Sequence, residues 1–221
     1  MDGTDGALFP RPAATIAPGA VHLPEHLGHG AQRELLEACR EWAKPPAGLR
    51  TVRMPDGSRM SVTQVCLGHH WFPYGYARTV VDGDGEPVKP FPSWLGDLAR
   101  AGVEAAYGRP CTEPYDIALV NFYGAGARMG LHRDDDERSP APVVSLSLGD
   151  TCVFRFGNTE SRGRPWTDVE LCSGDVFVFG GPSRFAYHGV PRTRPGTAPP
   201  HLGLNGRLNI TLRVSGLPGG S

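Results

Sequence analysis

The sequence predicts a mainly β domain with flanking helices (α+β), a jelly roll in which two helical segments precede a run of short strands. Three observations carry this expectation. Glycine (30) and proline (22) occupy nearly a quarter of the 221 positions, too many turn formers for a helical bundle. Helical periodicity occurs in only two stretches, both in the first half of the chain. From about residue 115 the texture changes to short alternating segments with no helical pattern between them, which excludes a doubly wound parallel sheet.

Residues 1–28 are rich in Gly, Pro and Ala without sustained periodicity and read as an N-terminal extension, draped on the domain or partly disordered. Over 32–43, Leu35, Leu36, Cys39 and Trp42 fall at helical spacing, and Lys44-Pro45-Pro46 ends the helix. Residues 47–90 hold the turn signals Pro55-Asp56-Gly57 and Asp82-Gly83-Asp84-Gly85, and the aromatic cluster His69-His70-Trp71-Phe72-Pro73-Tyr74-Gly75-Tyr76. That cluster is either a hairpin with a buried aromatic turn or a lid that offers a stacking platform. A second helix follows Pro92, with Ser93 as N-cap, an apolar face of Trp94, Leu95, Leu98, Val103 and Ala106, and Gly108 as its stop. Seven strands are then expected at 116–123, 143–148, 151–156, 168–171, 175–179, 184–190 and 207–214, and two packed sheets would bury their alternating faces.

Apolar residues at 39% and charged residues at 20% fit neither disorder nor a coiled coil. The net charge of −1 excludes a general polycation for coating nucleic acid or anionic lipid. Only two of the 22 basic residues are lysines, Lys44 and Lys89, a bias that GC-rich coding also produces. Five cysteines, odd in number and without a C-x-x-C pair, indicate reduced and mostly buried thiols rather than disulfides or a cysteine zinc site. No apolar run of signal-peptide or membrane-spanning length occurs, so a cytoplasmic protein without a membrane partner is expected.

The most polar stretch near a strand end is His132-Arg133-Asp134-Asp135-Asp136-Glu137. On an extended segment His132 and Asp134 point to the same side and can converge on one ion, although a solvated acidic loop would read the same way. His188, read as sharing a strand face with Arg184 and Ala186, supplies a second imidazole from a distant strand. Two histidines and one carboxylate make a facial triad suited to Fe(II), leaving positions open, whereas zinc more often takes a closed tetrahedral set. The terminal strand alternates strictly, with Arg207, Asn209, Thr211 and Arg213 on one face. Six residues at about 3.3 Å each set the Cα atoms of Arg207 and Arg213 about 20 Å apart. The pair therefore suits a dicarboxylate with one charge handled at each end.

Asn121-Phe122-Tyr123, His132-x-Asp134, Asp136, His188 and Arg207-x-Asn209-x₃-Arg213, in this order and spacing, resemble the AlkB family of Fe(II)- and 2-oxoglutarate-dependent nucleic-acid dealkylases. The Ser-Leu-Ser-Leu-Gly segment at 145–149 and Gly180-Gly181-Pro182-Ser183-Arg184 agree with the family as well. The resemblance is strong over about 115–215 and loose over 50–80. It implies a double-stranded β-helix core over 115–215, with helices and a nucleotide-recognition lid over 29–114, in a single domain.

By the same resemblance His132, Asp134 and His188 hold the iron. Asn121, Tyr123, Arg207, Asn209 and Arg213 contact 2-oxoglutarate, with Arg207 on the distal carboxylate and Arg213 nearer the metal. Asp136 recognises the damaged base, Trp71 stacks on it, His132 helps to sandwich it, Tyr76 contacts the backbone, and Arg162, or else Arg164, contacts substrate. Arg133 and Asp135 depart from the family's Gln and Lys, and the segment from Trp71 to Tyr76 is shorter than in its best-known members.

The implied reaction hydroxylates an N-alkyl group of 1-methyladenine or 3-methylcytosine, using O₂ and converting 2-oxoglutarate to succinate and CO₂. The product collapses to formaldehyde and the repaired base. A lesion that cannot pair normally leaves its stack at lower cost, so single-stranded DNA or a flipped base is the expected partner, with RNA as an alternative and the enzyme a monomer. Two other readings stay open: an oxygenase acting on tRNA or on a protein, and a jelly-roll binding module whose histidines are structural.

Overall fold

Alternation along a strand sorts its side chains onto two faces, and the architecture follows from what buries each face. The structure, a computed structural model, describes residues 11–217. In chain order the elements are β1 (Ala14–Ala17), β2 (Ala20–Leu23), α1 (His29–Trp42), β3 (Arg50–Arg53), β4 (Arg59–Leu67), β5 (His70–Phe72), β6 (Gly75–Ala77) and α2 (Ser93–Tyr107). There follow β7 (Ile117–Tyr123), β8 (Met129–His132), β9 (Val143–Gly149), β10 (Cys152–Phe156), β11 (Thr167–Leu171), β12 (Val176–Phe179), β13 (His188–Thr193) and β14 (Arg207–Arg213). Eight strands form a large sheet in the order β1-β2-β12-β9-β14-β7-β4-β3, four form a smaller sheet β11-β10-β13-β8, and β5-β6 is a separate hairpin.

The large sheet is apolar on both sides for different reasons. Leu146 and Leu148 of β9, Val176 and Val178 of β12, and Leu208, Ile210 and Leu212 of β14 pack outward against Leu35 and Leu36 of α1 and Leu95 and Val103 of α2. Inward, Val143, Phe177 and Phe179 meet Phe154, Phe156 and Val190 of the small sheet. The expected jelly roll is thus present as a two-sheet sandwich with its helices on one outer face. The inward face of β14 carries Arg207, Asn209, Thr211 and Arg213 between the sheets.

Several expectations need correction. Residues 11–28 are not an irregular extension, because β2 pairs in register with β12 and β1 pairs with β2. The anchor is Asp175, whose carboxylate accepts from Arg11 and from the Glu25 amide and bonds His22 at 2.8 Å. Residues 1–10 of the predicted extension lie outside the described residues. Ser93 is the first residue of α2 rather than its cap, a place taken by Pro92 without a side-chain bond, while Gly108 ends the helix in a left-handed conformation as expected. The strand predicted over 184–190 begins only at His188. Gly181-Pro182-Ser183 forms a 3₁₀ turn, which turns Arg184 out of any strand and into the interior. The aromatic cluster is a hairpin, with Trp71 opposite Tyr76.

Candidate active site

Antiparallel pairing of β8 with β13 sets His132 directly opposite His188, and their rings lie 4.5 Å apart. The chain continues extended past β8, so Asp134 returns to the same side. Its carboxylate lies 3.7 Å from His132 Nε2 and 3.6 Å from His188 Nε2. The three ligand atoms lie within 4.8 Å of one another. Each imidazole Nδ1 sits 3.0 Å from a backbone carbonyl, Gly130 for His132 and Ala186 for His188. A carbonyl only accepts, so Nδ1 carries the proton and each Nε2 presents its lone pair to the centre of the triad.

The donor set fits Fe(II). Asp134 Oδ2 is buried and has no hydrogen-bond partner, an expensive state for a carboxylate oxygen unless a cation fills the space before it. Its other oxygen takes 2.6 Å from Arg213 Nη2. Burial alone would raise the Asp134 pKa, but Arg213, His188 and His132 outweigh it and hold the group down at about 2, ionised and ready to ligate. Burial, the largest influence on His188, lowers its pKa to about 4 and keeps it neutral.

This has a testable cost in the metal-free protein. Unfolded His188 binds a proton near pH 6.5 whereas the folded residue resists until about 4, so the unfolded state takes up more protons across that window. Stability is expected to fall by about 3 kcal/mol as the pH drops from 6.5 to 4. Urea midpoints measured across this range should show the fall, and a His188→Leu variant should flatten it.

Behind the triad a narrow cavity of about 40 Å³ runs along the inner face of β14, lined by Asn121, Tyr123, Arg207, Asn209 and Arg213 together with the triad. A row of polar residues crosses the sheet here, Gln64 opposite Asn121 and Asn121 opposite Asn209. Gln64 Nε2 donates to Asn121 Oδ1 at 2.9 Å, and Asn209 Nδ2 donates to Ser145 Oγ at 2.6 Å. Arg207 is 1% exposed, yet its guanidinium meets only the Ser147 hydroxyl at 2.9 Å and the Asp150 carbonyl at 3.4 Å, and its Nε has no acceptor. Among the described residues no carboxylate pairs with it. A buried cation left without a counterion is a receptor for an anion.

On the other side of the triad lies a larger cavity of about 560 Å³, lined by Trp71, Tyr74, Asp136, Arg162, Tyr187 and the methionines 54, 60 and 129. Asn121, His132, Asp134 and Arg213 border both chambers, so the metal position stands at their junction. Trp71 Nε1 donates to Asp136 Oδ2 at 2.7 Å, which orients the carboxylate and leaves its second oxygen for a ligand. Burial raises the Asp136 pKa, and the Trp71 bond opposes that shift. Arg162 borders this cavity over the Tyr187 ring, whereas Arg164 stacks on Trp166 at 5.0 Å and is not among its lining residues.

Tyr76 is not a lining residue either. Its hydroxyl donates to Glu137 and also meets Arg213 Nη1 at 3.3 Å, so the backbone-contact role expected for it has no free hydroxyl to act with. The tyrosines that line this cavity are Tyr187 and Tyr74, the latter 75% exposed.

Glu137 and Arg184 are buried residues to which the sequence alone assigns no role in the site. Arg213 bridges Asp134 and Glu137, and Arg184 bonds Glu137 Oε2 at 3.0 Å, the Asp134 carbonyl and the Ala141 carbonyl. Burial, the largest influence, favours protonated Glu137, but Arg213 and the Tyr76 hydroxyl together outweigh it and lower the pKa. The chain of charges alternates in sign and pins the loop that carries Asp134.

A family model for the 2OG-Fe(II) oxygenase superfamily matches residues 19–213. The chain is 41% identical over 203 residues to the Alpha-ketoglutarate-dependent dioxygenase AlkB homolog of Caulobacter vibrioides, covering 90% of this chain and 89% of that protein. It is 34% identical over 227 residues to the Arabidopsis thaliana protein named DNA N(6)-methyladenine demethylase ALKBH1D, covering 90% of this chain and 50% of that one. A solved structure described as the structure of OsALKBH1 superposes with a TM-score of 0.81 at 34% identity, over 92% of this chain and 100% of that chain. Together with the triad geometry, these matches establish that the chain belongs to the AlkB family within the 2OG-Fe(II) oxygenases, enzymes that work with Fe(II), 2-oxoglutarate and O₂.

Proposed function

We propose that this dioxygenase oxidatively demethylates alkylated nucleobases of the 1-methyladenine and 3-methylcytosine type in DNA, with RNA as the second substrate class, as direct repair of alkylation damage. The observation that carries the reading is the junction of two unlike chambers at one triad, one built around an anion receptor and the other around an aromatic ring bonded to a carboxylate. Fe(II), bound by His132, Asp134 and His188, supplies the oxidising chemistry together with 2-oxoglutarate and O₂. In this reading Arg207 pairs with the distal carboxylate of 2-oxoglutarate, and Asn121, Tyr123, Asn209 and Arg213 line its path to the metal. In the outer chamber Trp71 stacks on the base, Asp136 accepts a hydrogen bond from it, and Arg162 meets the strand at the rim. A cavity of about 560 Å³ has ample room for one extruded base.

The lesion's chemistry suits this chamber. A base methylated at N1 of adenine or N3 of cytosine is cationic, so a carboxylate and aromatic faces prefer it over the undamaged form. A single copy builds both chambers, which supports action as a monomer. Five free cysteines support a reducing, cytoplasmic setting. No helix among the described residues is long and apolar enough to cross a membrane.

The test is formaldehyde release from matched methylated DNA and RNA oligonucleotides, single- and double-stranded, with Fe(II) and 2-oxoglutarate. Asp136→Asn is expected to lower kcat/KM on 1-methyladenine about 10- to 150-fold, the weight of one charge-assisted hydrogen bond. A neutral methylated base should lose less. Succinate formed without loss of methyl from any oligonucleotide would overturn the nucleic-acid reading in favour of a protein or small-molecule substrate.

A further inference from the structure

Trp71 stands on a hairpin that shares no strand ladder with either main sheet. In the pairing of Trp71 with Tyr76, the Trp71 amide and carbonyl turn away from β6 and must find partners elsewhere. The amide donates to Cys66 Sγ at 3.4 Å, and the carbonyl accepts from Arg50 Nη2 at 2.5 Å. Arg50 begins β3 opposite Gln64 of β4, and its side chain is 9% exposed.

The guanidinium has further bonds that fix its plane. Its Nε donates to Asp82 Oδ1 at 2.7 Å, and His70 Nε2 lies 2.6 Å from that same oxygen. Its two outer nitrogens reach Gln64 Oε1 and the Gln64 carbonyl, each at 3.4 Å. Gln64 then bonds Asn121, a residue that borders both chambers. One planar group therefore joins the backbone of the aromatic platform to the polar row behind the triad, without itself lining either cavity.

We propose that Arg50 is a positioning residue for base recognition, fixing Trp71 through its carbonyl and tying the platform to the 2-oxoglutarate chamber through Gln64 and Asn121. This rests on the reading of Trp71 as the ring that stacks on the base. A rigid fork of five donors serves Asp82, Gln64 and the Trp71 carbonyl at once, and a lysine ammonium on a flexible stem cannot. A platform held this way is set in place before the base arrives, so its loss should weaken substrate engagement more than the chemical step.

The experiment is a double-mutant cycle in the full chain loaded with Fe(II) and 2-oxoglutarate, using a 1-methyladenine oligonucleotide. KM and kcat are read from formaldehyde release, and the affinity of a fluorescently labelled oligonucleotide is read separately by anisotropy. Arg50→Gln is expected to raise KM and Kd about tenfold while kcat stays within about threefold, and Arg50→Lys should not restore them. In a Trp71→Ala background, adding Arg50→Gln should change neither KM nor Kd further. Equal losses in both backgrounds, or a folded Arg50→Gln protein with unchanged KM and Kd, would overturn the proposal. If Arg50→Gln does not fold, Asp82→Asn takes its place, with the same direction expected and the same dependence on Trp71. A Trp71→Ala protein with normal KM and Kd would sink the platform reading itself, an outcome distinct from failure at Arg50 alone.

Discussion

An Asp134→Ala protein is expected to form neither succinate nor formaldehyde above background and to bind less than one equivalent of Fe(II) in an anaerobic titration. Asp134 contributes the only anionic donor of the triad, and without it two imidazoles remain, a bidentate set with no charge to hold a divalent cation. The carboxylate is fully enclosed and also neutralises Arg213, which keeps Glu137 as its second partner. Breaking a buried ion pair costs about 3 to 5 kcal/mol, and the remaining Glu137 contact places the loss near the lower end. Thermal melting distinguishes the two effects: the protein should melt lower yet cooperatively, with no stabilisation on adding Fe(II). Asp134→Asn preserves volume and one oxygen but removes the charge, so it should fail in metal binding with a smaller loss of stability. Turnover within tenfold of the parent protein in either variant would remove Asp134 from the metal site.

Arg207→Met is expected to move cosubstrate affinity and stability in opposite directions. Truncating one partner of a desolvated charge pair costs about 2 to 5 kcal/mol, which is a rise of about 30-fold to several thousandfold in the KM for 2-oxoglutarate. An analogue without the distal carboxylate, 2-oxobutyrate, should be used equally poorly by both proteins, because the lost contact never existed for it. In the ligand-free protein the same guanidinium is a buried charge facing only neutral acceptors. Methionine fills similar space without that desolvation cost, so the ligand-free Tm should rise while stabilisation by 2-oxoglutarate disappears. An unchanged preference for 2-oxoglutarate over 2-oxobutyrate in the variant would remove Arg207 from the cosubstrate site.

The residues that could be found from the sequence are those whose roles follow from strand periodicity. Arg207, Asn209 and Arg213 lie on one face of β14 because alternation puts them there, and His132 and Asp134 share a side for the same reason. The register that brings His132 opposite His188 joins segments more than fifty residues apart, and no local pattern encodes it. Arg184 was misplaced because Arg-x-Ala-x-His alternates like a strand, while Gly180-Gly181-Pro182 enforces a turn. β8 is four residues long, too short for a periodic signal. β4 was hidden differently: over Val65–Leu67 both of its faces are buried, and Gln64, polar and inward, breaks the apolar pattern to serve the site. Glu137 read as one more acid in a charged loop, and only the approach of Arg213 and Arg184 from two distant segments sets it apart. The Tyr76 bond is equally hidden, since its partner Glu137 is sixty-one residues away.

Among the described residues β14 is the last strand in the chain, yet it lies inside the large sheet between β7 and β9. Until synthesis has passed Arg213, those two neighbours have unpaired edges, each a template for association with another chain. Closing the ladder joins segments about ninety residues apart on one side and about sixty on the other, a high contact order that slows folding. The core thus cannot close on the ribosome before Arg207 and Arg213 are in place. Nascent chains stalled short of residue 207 should accordingly be captured by chaperones or aggregate, rather than persist as folded but inactive enzyme.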